Sequence, residues 1–124
     1  MPFPITRMRR NRMKKFSRDL IRENSLNVND LILPLFITDG NNINDEIKSM
    51  PGIFRMSSDR LLKSLVKVVE LGIPAVALFP KIENNLKDAT GSLSLKSDNL
   101  ICRTTKLIKR EFPDLGIICD VALD

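Results

Sequence analysis

The chain has 124 residues, room for one small domain. Apolar residues make up 43%, too many for a disordered tail, and the longest apolar runs are seven to nine residues where a membrane-spanning helix needs about 20. There is no histidine, and the two cysteines, Cys102 and Cys119, form no CxxC pair, which excludes a Cys/His zinc site and a histidine-based triad.

The formal charge of +5 is unevenly placed. Residues 1–22 carry eight basic side chains against Asp19 alone, a net of +7, while residues 23–124 carry 12 basic and 14 acidic ones, a net of −2. A basic arm can bind nucleic acid by releasing counterions, lie along a neighbouring subunit, or stay solvated. Phe3 and Phe16 are its only aromatics. Packing on a subunit is therefore the reading adopted, with no nucleic-acid and no membrane partner expected. Met1-Pro2-Phe3-Pro4-Ile5 leads straight into arginines, so no secretory signal is expected, and a cytoplasmic chain with reduced, buried thiols follows.

In chain order, Met13, Phe16, Leu20 and Ile21 predict a short helix over about 12–23. Leu31-Ile32-Leu33-Pro34-Leu35-Phe36-Ile37 reads as a strand covered on both faces, with Pro34 counting against a central place in the sheet. Residues 38–57 read as one long polar loop with a turn at Met50-Pro51-Gly52, of a length usually tied to function. Ser57 or Ser58 offers an N-cap for a helix over about 58–71, whose face is Leu61, Leu62, Leu65, Val66, Val68 and Val69 and whose end is Gly72. Ile73 to Pro80 is a second strand, and Lys81 to about Ser97 a second loop. Asp98 can cap a helix facing inward with Ile101, Thr104 or Thr105, Ile108 and Phe112, stopped by Pro113. Ile117 to Leu123 is a third strand.

Strand–helix alternation implies right-handed βαβ units in a parallel sheet. Leu71-Gly72-Ile73 and Leu115-Gly116-Ile117 echo one another 44 residues apart, each closing a helix and opening a strand. Two long helices cannot cover both faces of such a sheet, and its edges stay open. The expected fold is α/β: the first three βα units of an eightfold (β/α) barrel, incomplete, with an arm and short helix at 1–24 and the partial barrel at 25–124.

On the third strand Asp120, Ala122 and Asp124 share one face, and Cys119, Val121 and Leu123 the other. If the odd set faces the helices, the even set faces the barrel axis. Carboxylates at the carboxyl end of a barrel strand stand where active sites are built. Asp124 is the expected active-site acid, orienting substrate or assisting proton transfer, and Asp120 its neighbour.

Five segments in order carry a resemblance: Arg7-Met8-Arg9-Arg10, Asp30-Leu31-Ile32-Leu33-Pro34-Leu35-Phe36, Ser49-Met50-Pro51-Gly52-Ile53, Gly72 to Pro80, and Asp120-Val121-Ala122-Leu123-Asp124. Together they make the sequence similar to the N-terminal part of delta-aminolevulinic acid dehydratase, also called porphobilinogen synthase. The resemblance implies a TIM barrel whose arm embraces a neighbour, commonly in a homo-octamer. It implies condensation of two 5-aminolevulinate molecules to porphobilinogen with loss of water, in tetrapyrrole and haem synthesis. The two Schiff-base lysines of the family come from later strands. Of the lysines present, Lys63, Lys67, Lys106 and Lys109 fall at polar helix positions, and Lys81 and Lys87 in the second loop, so none is assigned that role.

Zinc-dependent members carry cysteines at the positions of Ala122 and Asp124. Ala and Asp there imply the group without catalytic zinc, with magnesium expected for the full-length enzyme at a site outside this segment. One departure concerns the second loop, Gly91-Ser92-Leu93-Ser94-Leu95-Lys96-Ser97-Asp98-Asn99, where a leucine replaces an acid in a stretch expected to be exposed. The expectation is thus a truncated or split piece of the enzyme, inactive alone. The alternative is a non-catalytic fragment that docks on the full-length enzyme through its arm and open sheet edges.

Overall fold

The computed structural model describes residues 4–120. Val121, Ala122, Leu123 and Asp124, the end of the third expected strand, lie outside the described residues.

The run after Leu31 forms β1 (Ile32–Ile37), β-branched and aromatic residues favouring the extended chain. Its neighbour is β4 (Ala75–Pro80), parallel and in register over six pairs from Ile32↔Ala75 to Ile37↔Pro80. On the far side of β4 lies β5 (Gly116–Cys119), also parallel, from Ala75↔Gly116 to Leu78↔Cys119. Two amphipathic helices connect these strands, α3 (Ser58–Glu70) and α4 (Leu100–Glu111). The three expected parallel strands and the two helices that connect them are therefore present, and no helix follows β5 among the described residues.

The long loop after β1 is not structureless. It holds a hairpin, β2 (Asn44–Glu46) antiparallel to β3 (Phe54–Met56), turned through Met50-Pro51-Gly52. β3 joins β1 in parallel, giving a mixed sheet in the order β2-β3-β1-β4-β5. The reading as loop fails because each strand has three residues and the hairpin is stabilised by long-range pairing that local composition does not show. Pro34 is tolerated because β3 pairs only with Phe36 and Ile37; at Pro34, β1 has a paired neighbour on the β4 side alone among the described residues.

Alternation along the strands sorts the two faces. Leu35, Ile37, Val76 and Leu78 are buried against Leu61, Leu65 and Val68 of α3 and Leu100 and Ile108 of α4. The opposite face carries Ile32, Pro34, Phe36, Ala77, Phe79 and Ile118, with no helix over it among the described residues; Ile32 is 54% and Ile118 47% exposed. The helices cover one face only.

The boundaries follow local chemistry. Ser57 occupies the N-cap position of α3 without capping it, its hydroxyl being engaged elsewhere. The end of α3 is a Schellman motif: Gly72 (φ +75) donates to the Val69 carbonyl and Ile73 to that of Val68. The cap of α4 is Asn99 rather than Asp98, its Oδ1 accepting from the Cys102 N–H at 2.9 Å. Either residue type can cap; here the chain enters the helix one residue later. Gly116 is required by packing, since a Cβ there would stand 3.0 Å from the Ala75 Cβ and 3.1 Å from the Pro74 carbonyl.

The single N-terminal helix expected over 12–23 is two short ones, α1 (Arg10–Met13) and α2 (Lys15–Leu20), broken at the extended Lys14. Side chains of α2 take the carbonyls that α1 leaves open: Ser17 Oγ donates to Asn11 at 2.6 Å, and Arg18 to Arg12 at 3.0 Å and Met13 at 3.2 Å. Neither helix buries a residue, and Met13, Phe16 and Leu20 stand exposed.

Candidate active site at the carboxyl ends of the strands

β1 and β4 end in register at Ile37 and Pro80, β5 ends at Cys119 beside Leu78, and the rim they form is built from polar contacts. Beyond β1, Asn42 adopts a left-handed conformation (φ +58), and its N–H donates to both carboxylate oxygens of Asp59 at 3.1 Å. The buried Ser57 hydroxyl accepts from the Ile43 N–H at 2.9 Å and donates to Asp59 at 2.5 Å. These contacts, the Ser57 hydroxyl first, hold the Asp59 carboxyl below the ordinary carboxylate range. Arg103 of α4 grips Asp39 with one nitrogen at 2.7 and 2.9 Å and donates from the other to the Asp98 carbonyl at 2.8 Å. Ser58 and the buried Thr104 share a hydrogen bond of 3.0 Å. The loop after β1 and the starts of both long helices thus form one network.

The second loop folds on Asp88. Its carboxylate accepts from the hydroxyls and backbone N–H groups of Thr90 and Ser92. The Ser92 hydroxyl is the largest of the contacts that hold Asp88 far below the usual carboxylate range. Lys81, the lysine nearest a strand end, pairs with Glu83 at 2.7 Å, and Lys109 donates to the carbonyls of Pro113 and Leu115. Both are committed to local contacts. The sequence reading gave neither lysine such a partner, because backbone carbonyls of a returning loop leave no trace in helical periodicity.

Between this loop, the start of α4 and the end of β5 lies a cavity of about 470 Å³. Asp120 lines it, exposed and one residue past β5. Leu93, expected to be exposed, also lines this cavity and is half-buried beside Ile82, Leu86 and Ile101 of the same lining. Cys119 faces α4, its Sγ 3.7 Å from the Thr105 hydroxyl, and Ile118 faces the open side, as the odd–even division requires.

Across the open face, register places Arg55 beside Phe36, and Phe36 beside Phe79, the two rings tilted with centroids 5.6 Å apart. Leu78 pairs with Cys119, so Asp120 follows next in register to Phe79. A cation and a carboxylate therefore flank an aromatic pair at the carboxyl rim. Arg55 was missed in the sequence because its strand was; the signal available was an apolar–basic–apolar triplet after a Pro-Gly turn. Asp124 lies outside the described residues. Among the described residues no group of three or more His, Cys, Asp or Glu gathers to hold a metal ion, and Ala122 and Asp124 are outside them. Among the described residues no helix is long and apolar enough to cross a membrane.

The family model for delta-aminolevulinic acid dehydratase matches residues 5–124. The chain belongs to this family. It is 46% identical over 118 residues to the delta-aminolevulinic acid dehydratase of Bradyrhizobium diazoefficiens, covering 95% of this chain and 33% of that protein. With the Chlamydia pneumoniae enzyme of the same name identity is 48% over 118 residues, covering 95% and 36%. The crystal structure of the Toxoplasma gondii ME49 delta-aminolevulinic acid dehydratase (porphobilinogen synthase), in complex with the reaction product porphobilinogen, superposes with a TM-score of 0.85 at 39% identity, covering 95% of this chain and 33% of that one. The chain spans about a third of the length of these relatives.

Proposed function

We propose that this chain forms the first three βα units of a porphobilinogen synthase barrel, in which two 5-aminolevulinate molecules condense to porphobilinogen with loss of water. The observation that carries the reading is the one-sided sheet. Helices cover one face, while the other presents Ile32 and Ile118 exposed and Phe36 and Phe79 half-buried, with no helix over them among the described residues, and leads to Asp120 at the carboxyl rim. In a closed barrel such a face is the packed interior, and the carboxyl rim is where substrates bind. A dehydratase relative with its product bound shares this fold.

In this reading Asp120, with Asp124 beyond it, supplies carboxylates that orient substrate amines and move protons. The Schiff-base lysines come from the two thirds of the relatives that this chain does not match. The chain alone is inactive, and the magnesium of the complete enzyme is held outside this segment. The basic arm lies on a neighbouring subunit of a homo-oligomer, octameric as the family resemblance implies. The exposed Met13, Phe16 and Leu20 support that placement. They equally favour a second reading, a non-catalytic piece docking on the full-length enzyme.

A chimera tests the first reading. The corresponding third of the Chlamydia pneumoniae enzyme is replaced by this chain, and porphobilinogen formation from 5-aminolevulinate is measured. Activity is expected in the chimera and none in the chain alone. A folded, inactive chimera refutes the catalytic assignment, and turnover by the isolated chain refutes its dependence on the remainder. Co-purification of the isolated chain with the full-length enzyme, together with an inactive chimera, selects the second reading.

A further inference from the structure

Cys102 and Cys119 are far apart in sequence, yet both line the cavity of about 470 Å³ beside α4. Both are free thiols and both are half-buried. Their relation is set by Thr105. Cys102 and Thr105 are three residues apart on α4, hence neighbours on one helix face. The Thr105 hydroxyl in turn lies 3.7 Å from Cys119 Sγ. The two cysteines therefore line one space from two different elements, a strand end and the first turn of a helix. Ile82, Leu86, Leu93 and Ile101 supply an apolar wall around them.

We propose that Cys102 and Cys119 form a two-thiol site for thiophilic electrophiles, of which a trivalent aryl arsenical is the fitting class. With phenylarsine oxide, two As–S bonds form and the As–O bond is broken. The oxygen leaves as one water carrying both thiol protons, and arsenic stays trivalent, so no oxidant enters. Arsenic in this state takes two protein sulfurs and its own aryl carbon and needs no third protein ligand. The phenyl ring is accommodated by the apolar wall. Chelation by two thiols on one scaffold makes the second bond intramolecular, so a chelated arsenical resists exchange where a singly bound one does not.

The experiment uses the purified, reduced chain and phenylarsine oxide, read by intact mass. One phenylarsine per chain is expected. It blocks both thiols to iodoacetamide, survives a wash with mercaptoethanol and is released by ethanedithiol. Cys102→Ser and Cys119→Ser should each lower retention through the mercaptoethanol wash by about a hundredfold. The wild-type readout does not depend on the variants folding. Two arsenicals per chain, an adduct that leaves one thiol open to iodoacetamide, no adduct, or equal retention by folded single variants would each overturn the site.

Discussion

The guanidinium of Arg103 holds both carboxylate oxygens of Asp39 across a sequence gap of 64 residues, joining the loop after β1 to α4. Both partners are largely solvated, at 47% and 70% side-chain exposure, so the pair is worth little as free energy. Its consequence is positional, because the same arginine also holds the Asp98 carbonyl. Asp39→Asn should lower stability in urea by no more than about 1 kcal/mol, while hydrogen exchange of the amides around Asp98 and Asn99 speeds up. A loss above about 2 kcal/mol, or unchanged exchange, contradicts this assignment.

Ser57 is fully buried and joins Ile43 to Asp59, so Ser57→Ala leaves the Ile43 N–H without its partner and should cost about 1–3 kcal/mol. The pH dependence carries a sign. Asp59 has a folded-state pKa lowered chiefly by the Ser57 hydroxyl, against an unfolded value of about 3.9. Stability from this source is complete above the unfolded pKa and is lost as pH falls through the folded one. The gap between wild type and Ser57→Ala should therefore narrow on acidification from about pH 5 to about pH 2. Denaturant melts across that range check it; a gap that widens shows that Asp59 is not the titrating group.

Gly116 tests the β4–β5 junction. A methyl group there meets the Ala75 side chain at 3.0 Å and the Pro74 carbonyl at 3.1 Å, both on a neighbouring chain segment fixed by the Gly116 N–H to Pro74 bond. Gly116→Ala should destabilise by about 1–3 kcal/mol through overpacking. A variant as stable as the parent shows that the strands can separate at this point.

The uncovered face separates two contexts. Ile118→Lys in the isolated chain replaces a 47% exposed apolar group with a solvated one, and its melting point should change little. In the chimera the same lysine is buried among apolar groups and should unfold or inactivate the protein, at a cost of several kcal/mol. Equal tolerance in both contexts removes the barrel-interior assignment of this face.

Asp120 stands on the rim next in register to Phe79. In the active chimera Asp120→Asn should lower kcat about a hundredfold or more, the range for a proton-transferring group, while far-ultraviolet circular dichroism stays unchanged. Full activity in Asp120→Asn removes it from the chemistry.

The elements legible in the sequence are those whose burial writes a local period. β1 and β4 are continuous apolar runs, and α3 announces itself through Leu61, Leu65 and Val68 at helical spacing. β2 and β3 left no such mark: Asn44, Asp45 and Glu46 are all exposed, and their strand exists through partners eight to twelve residues away. The broken arm helix was hidden because the tertiary acceptors of Ser17 and Arg18 are backbone carbonyls, which no side-chain pattern reports. At the candidate site, the opposite sides of Cys119 and Ile118 follow from a period of two, and the contact of Cys119 with Thr105 follows that division. The clustering of Cys102 with Cys119 and the row from Arg55 to Asp120 needed the sheet order and register, which a single sequence does not encode locally.

The hairpin's grip on β1 is short, covering Phe36 and Ile37 and leaving the flank from Ile32 to Leu35 unclaimed by β3. Among the described residues the main chain is open to a further strand at the outer edges of β2 and β5 and along the lower stretch of β1. A strand added along that lower stretch would stop short of Phe36 and Ile37, where β3 already takes the main chain.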